Sequence, residues 1–289
     1  MPARTVQRFL GRWIMATGIA TAGALAIAAL PAAASDGWPA QVDAVYRIGF
    51  GGLDLGEFTF SSRVLQTSYS ATSNAQISAM FGAYEWKGRS RSTGTTADAG
   101  PKPASYAFDF KNQSKIGSVS MAFTGNAVTN VSAMPPIERK PGTIEVKDTH
   151  LKDVLDPLSA VMALTRAASA GKVAGVNPCA RRIPIFDGKQ RFDLVLSSKR
   201  MAPLSEIGSK SPHMAFVCRV RYVPIAGYRM NEDMRQMQQA TGTEVWLVPL
   251  AEANLFVPYY VVIPLSAGTA TLTASKVSID TARGKIALH

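Results

Sequence analysis

Histidine and cysteine are scarce in this chain, at three and two of 289 residues. His150, His213 and His289 stand far apart, and none forms a His-Glu-x-x-His pair or another metal-ligand spacing. No Gly-x-Ser-x-Gly elbow occurs. No Gly-x-x-x-x-Gly-Lys phosphate loop, Gly-x-Gly-x-x-Gly turn or Asp-x-Asp-x-Asp-Gly calcium loop occurs either. These absences remove the usual signatures of hydrolases, nucleotide-dependent enzymes and calcium modules. We therefore expect no catalytic residue, no cofactor and no metal. Beyond the N-terminus there is also no apolar run of the ~20 residues that a membrane-spanning helix needs.

The N-terminus itself reads as an address. Arg4, Arg8 and Arg12 precede an apolar run from Ala16 to Leu30, then Pro31 and Ala32-Ala33-Ala34 before Ser35. Basic, apolar and small-residue regions in that order are a secretory signal peptide, with cleavage expected between Ala34 and Ser35. No cysteine opens the mature chain, so a lipid anchor is not expected, and no Arg-Arg pair points to twin-arginine export. The expected location is periplasmic. Cleavage would leave 255 residues, 35–289, enough for a single β-rich domain with a sizeable core.

The formal net charge is +11, and it falls to +8 without the three signal arginines. The excess is spread along the chain. In a cell envelope its natural counterparts are anionic headgroups or acidic glycans. A lipid, a glycolipid or an envelope protein is thus the expected partner, and nucleic acid is not. In an oxidising compartment the lone pair Cys179 and Cys218 reads as a disulfide closing a 39-residue loop. A redox centre would place its cysteines in a Cys-x-x-Cys turn.

Alternation dominates the rest. Val42, Ala44, Tyr46, Ile48 and Phe50 alternate with polar residues, and Gly51-Gly52 turns the chain into a second strand at 53–65. Strands are predicted at 67–79, 84–93, 104–112, 115–123 and 126–132, with turn residues between them. Further strands fall at 180–187 and 190–198 about Asp187-Gly188, and at 213–223, 243–250, 256–264 and 269–280. Residues 151–170 switch to helical period, with Asp156-Pro157 as a cap and first-turn pair. We read them as an amphipathic helix packed on the sheet. A short second helix fits 229–240, capped by Asn231, with Met230, Met234 and Met237 as a packed stripe. The expected fold is mainly β: an antiparallel curved sheet, an open barrel or a β-spiral-like wrap.

Two clusters remain as candidates. Glu145, Asp148, Asp153 and Asp156 offer paired carboxylates, but helix-start acids meet the helix dipole in any case. Nothing supports a triad built on Ser159. Arg181, Arg182, Arg219 and Arg221 lie on strands that can converge, as does Lys199-Arg200, so they form a candidate anion-binding patch.

Several segments resemble one family. Asp156-Pro-Leu-Ser159-Ala160 is similar to its Asp-x-Leu-Ser-Ala helix start. Phe186-Asp187-Gly188-Lys-Gln-Arg191-Phe-Asp193-Leu is similar to its Phe-Asp-Gly-x-x-Arg-Tyr-Asp-Leu hairpin. The run from Tyr46 to Gly56 and Val257-Pro258-Tyr259 fit as well. This is the bacterial domain-of-unknown-function family numbered 3108, and the resemblance covers about residues 40–280. It implies an exported, β-rich envelope protein and transfers no catalytic residue. The expected function is non-enzymatic binding of an amphipathic ligand or envelope partner. The rivals are an envelope-polymer hydrolase with a site assembled from distant strands, and a purely structural interaction module.

Overall fold

A computed structural model describes residues 38–288, apart from 98, 139, 167–172 and 174. The expected signal peptide and its Ala34–Ser35 site lie outside the described residues.

Fourteen strands form one antiparallel sheet. A first meander holds β1 (Gln41–Phe50), β2 (Leu53–Leu65), β3 (Ser68–Ala79), β4 (Tyr84–Ala97), β5 (Gly100–Asn112), β6 (Ile116–Thr124) and β7 (Ala127–Met134). A connection then carries a 3₁₀ turn at Asp148–Leu151 and helix α1 (Pro157–Thr165). The second meander holds β8 (Arg181–Phe186), β9 (Arg191–Pro203), β10 (Met214–Ala226), β11 (Glu244–Leu250), β12 (Leu255–Leu265) and β13 (Gly268–Thr281). Helix α2 (Glu232–Gln239) interrupts it between β10 and β11, and β14 (Gly284–Leu288) ends the chain. Every neighbour in the sheet is also a neighbour in sequence, with one exception. β1 pairs with β13 over ten residues, from Gln41 opposite Asp280 to Phe50 opposite Ala270. That seam welds the two meanders.

The two meanders bury their side chains differently, and their sequences say why. In β3 alternate residues Tyr69, Ala71 and Ser73 are buried and their neighbours face water. Such alternation suits a sheet with one packed face. In β11, by contrast, Val245, Trp246, Leu247 and Val248 are all buried in succession. Trp246 and Val248 pack with Ala44, Tyr46 and Val277 of the seam. Val245 and Leu247 pack with Ala160 of α1 and Ile183 of β8. The second meander is sandwiched, so its strands read as continuous apolar runs.

Helix α1 fills the space between. Leu158 and Met162 join Phe60, Val64 and Tyr106 of the first meander, while Ala160 joins the second. A helix packed from opposite sides is apolar all round rather than amphipathic. That corrects the expected stripe. Its length is corrected too: α1 covers 157–165, not 151–170. Asp156 precedes a proline, which disfavours helical backbone, and it is extended at ψ 164°. Residues 152–155 are edge pieces instead. Lys152 bridges Ala127 beside β7, and Leu155 bridges Ile185 of β8. They cover both outer strands of a sheet that strand pairing leaves open. The second helix matches expectation, since Asn231 caps it through Met234 N at 2.8 Å. Its methionines do not, because Met230 and Met237 are exposed. β14 escaped the sequence reading: five residues after a turn show too little alternation.

Cys179 and Cys218 are bonded, tying the chain that enters β8 to the middle of β10. Closing 39 residues stabilises the fold by roughly 4 kcal/mol through the entropy of the unfolded chain. We expect Cys179→Ala/Cys218→Ala to lose about that much in urea unfolding, with the same loss on reduction of the native protein.

Candidate functional site

The most concentrated polar chemistry lies at the start of α1. Asp156 accepts from Leu158 N at 2.9 Å and Ser159 N at 3.1 Å through Oδ1. Its Oδ2 accepts from Ser92 Oγ of β4 at 2.9 Å and from Ser159 Oγ. Ser159 spends its proton on that carboxylate, so Tyr69 of β3 donates to it, at 2.6 Å. Ser92, Asp156 and Ser159 are fully buried. Burial pushes the Asp156 carboxyl up, and the hydrogen bonds that hold its charge oppose this. Burial likewise pushes Tyr69 up to about 12. A serine–aspartate contact with no imidazole beside it and no path to water brings no substrate to the hydroxyl. The cluster is a pin that fixes the helix start to strands β3 and β4. Of the four candidate acids only Asp156 enters it. Asp148 opens the exposed 3₁₀ turn, Asp153 accepts from Asn126 Nδ2 at 3.2 Å, and Glu145 lies exposed on the connection. His150 Nδ1 accepts from Lys147 N, and His213 Nδ1 meets Ser211 Oγ at 2.8 Å. Among the described residues no cluster could hold a metal ion.

The four candidate arginines part company. Arg181 turns toward α1, where its guanidinium donates to the carbonyls of Ala163 at 2.7 Å, Leu164 and Arg166, ending the helix. Arg182 falls in register with Val195 and Arg221 across β8, β9 and β10, on the opposite face, with Arg219 two residues along. Arg182 is already engaged. It and Arg191 clamp the buried Asp193 at 2.6 and 2.5 Å. Lys199 meets Glu244 at 2.5 Å, and Arg200 meets Glu206 while its guanidinium lies over Trp246. Three of the four thus share a face, where Arg182 is paired to Asp193 and Arg219 lies opposite Glu244 across β10 and β11.

A larger opening sits elsewhere, on the outer face of the first meander. It is a trough of about 1150 Å³. Its floor is built from two register rows. Arg47, Glu57, Gln76, Lys87 and Lys111 run across β1 to β5. Thr59, Asn74, Arg89 and Asp109 run beside them. Arg89 Nε donates to Asn74 Oδ1 at 3.1 Å, and Asn74 Nδ2 donates to Thr59 Oγ1 at 3.4 Å. Arg47 faces Glu57 and Arg89 faces Asp109. Lys87 faces Lys111, however, and like charges directly opposite destabilise a sheet. The sequence reading missed this site because its cations lie far apart in the chain. The hairpin from β4 to β5 sets the register that brings Lys87 opposite Lys111, and the Gly82 turn sets the one that brings Gln76 opposite Lys87.

Asp156→Ala removes a cap worth about 1 kcal/mol and takes the acceptor from two buried hydroxyls, Ser92 and Ser159, so it should cost about 3 kcal/mol. Asp156→Asn keeps the cap and should cost far less. With its pKa raised by burial, the folded protein holds this proton more tightly than the unfolded chain. The stability this group contributes therefore falls as pH rises from the ordinary carboxylate range toward the raised value. Asp156→Asn should flatten that slope, as read by urea midpoints from about pH 4 to about pH 8. In alkali, Tyr69, Tyr106 and Tyr222 ionise near 12, against about 10 when unfolded. Their contribution is lost as pH rises through that window, so phenolate absorbance and unfolding should rise together.

No curated protein and no solved structure matches the chain. The model of one family does, over residues 45–275, from β1 through most of β13. That span includes half of the seam, α1 with its pin and most of both meanders, and the chain accordingly belongs to the family described as Protein of unknown function (DUF3108).

Proposed function

We propose that this is an exported, non-catalytic protein of the cell envelope that binds an amphipathic ligand on its surface, seating an anionic head in the trough. The export signal and the basic chain motivate the location, and the disulfide is in keeping with an oxidising space. One observation carries the mode of binding. The interior between the meanders is occupied by α1, and the apolar space left beside it, lined by Trp38, Tyr46, Phe60 and Met162, is about 30 Å³. That admits about one or two waters and no acyl chain. A carrier that encloses its cargo needs ~300 Å³ or more. The trough has that volume, is open to solvent, and offers two facing lysines whose repulsion an anion would relieve.

The direct test is calorimetric titration of the delipidated protein with soluble phosphate-bearing headgroups such as glycerol phosphate, and with acidic envelope glycans. We expect binding that weakens about tenfold or more in Lys87→Ala/Lys111→Ala, with the fold unchanged by circular dichroism. Absence of binding by the wild-type protein to all of these would refute the reading.

A further inference from the structure

Exposed large apolar side chains are not scattered evenly over this molecule. Six of them stand on one rim, where successive hairpins of the sheet turn: Leu53, Met80, Tyr84, Ile116, Met134 and Leu265. Register places them together. Phe50 lies opposite Leu53, Ala79 opposite Tyr84, Lys111 opposite Ile116, Ser118 opposite Met134 and Leu265 opposite Gly268. The most prominent are Met80 at 76 % and Ile116 at 70 % exposure. At the opposite ends of the strands the first meander's turns carry Gln66-Thr67 and Gly125-Asn126, and the comparable residues among those described are Leu65 there and Met201 and Met214 on β9 and β10.

Depth along the strands orders the side chains. Apolar residues occupy the tips. One or two residues inward stand aromatic rings, half-buried on the inner face. Trp86 lies across Gly88 and Phe110 across Gly117, so close that a Cβ on either glycine would fall 2.4 Å from the ring. Tyr84 lies beside them, 42 % exposed. At the same depth on the outer face are Lys87 and Lys111, with Lys115 in the turn before Ile116. No ion pair engages these three lysines among the described residues; the nearest acids in sequence are Glu85, two residues from Lys87, and Asp109, two residues from Lys111 and opposite Arg89. Asp54 and Glu57 sit farther along, with Arg47 opposite Glu57.

Apolar tips, with aromatic rings and cations together just inward of them, are the arrangement of a protein edge at a bilayer boundary, where rings sit at headgroup level and lysines meet anionic phosphates. We infer that this rim docks on the surface of a bilayer containing anionic phospholipid, with the Ile116 region leading and the three lysines against the headgroups. The inference rests on the proposed trough reading and deepens it, because the trough opens beside Ile116 and Phe110 and would take its headgroup from the membrane. A second copy of the chain fits less well. The tips project singly along an arc of roughly 40 Å, eight strand spacings, where a stable dimer needs a contiguous patch near 800 Å² per partner.

The test is sedimentation of the full chain with vesicles of phosphatidylethanolamine and phosphatidylglycerol, and with phosphatidylcholine vesicles. Ring-depth quenching by brominated lipid is read in parallel. We expect binding to the anionic vesicles and quenching that Trp86→Phe abolishes. Met80→Asp/Ile116→Asp should lower partitioning at least about tenfold, and Leu65→Asp should leave it unchanged. Lys87→Ala/Lys111→Ala should erase the preference for anionic vesicles. Equal loss in Leu65→Asp, or none in Met80→Asp/Ile116→Asp, would overturn the inference. So would a dimer in analytical ultracentrifugation that the rim variant dissociates while vesicle binding persists. A wild-type protein that binds soluble headgroups but no vesicles would sink the docking edge alone and leave the trough reading standing.

Discussion

The pairing of β1 with β13 is the one sheet contact that this chain cannot make locally. Every other ladder closes through a hairpin or the short link through α2, so each meander can form from neighbouring segments. The seam joins residues more than two hundred positions apart. Loop closure of that length is slow, though its entropic cost grows only with the logarithm of the length. What makes it favourable is the core it completes. Ala44 and Tyr46 of β1 join Val277, Ile279, Trp246, Val248 and Val257 of the second meander only once the seam is in place. β13 serves three partners, taking β1 along one edge and both β12 and β14 along the other. Where β12 leaves it, β14 covers the exposed ladder, so neither half of that edge is left as a template for aggregation.

The helix follows from the same constraint. With the meanders welded on one side, the space between them needs an apolar filler and an anchor that sets its position. α1 supplies both. Its sides are apolar in every direction, and its start carries one carboxylate with four donors. Burial outweighs these bonds enough to push the carboxyl up, and losing any donor would cost more still. Position, rather than net stability, is what such a pin contributes. The rigidly placed filler leaves about 30 Å³ beside itself, and a separate opening of about 970 Å³ lies between β7, the connection, the β8–β9 turn and α2.

How much of this was legible in the sequence depended on which physical signal each part leaves. Strands in the first meander announce themselves by alternation, and the apolar runs of β11 and β12 announce two-sided burial. Cys179 and Cys218 were legible from compartment and number. Helix α1 was found and misjudged. Val154 and Leu155 are apolar at the right spacing for a helix, yet they are extended edge residues whose burial comes from β8 and the first meander. A period cannot tell a helix face from an edge strand that merely continues it. The trough was invisible for a different reason. Lys87 and Lys111 are unremarkable alone, and only register makes them neighbours. Arginines adjacent in sequence drew attention instead, though Arg181 and Arg182 must face opposite sides of a strand.

A division of labour between the meanders follows. The second commits both faces of β11 and much of β12 to the core, so its polar residues are driven to edges and matched in pairs such as Arg182–Asp193 and Lys199–Glu244. The first commits one face only. Its outer face is free to vary without touching the core, because each outward residue there has its backbone held by two neighbouring strands. That face combines rigid placement with chemical freedom, and the first meander carries the unmatched lysines, the long trough and all of the apolar rim but Leu265. On the proposed reading, the residues that select a ligand lie on β2 to β6, away from the core that the second meander and α1 build.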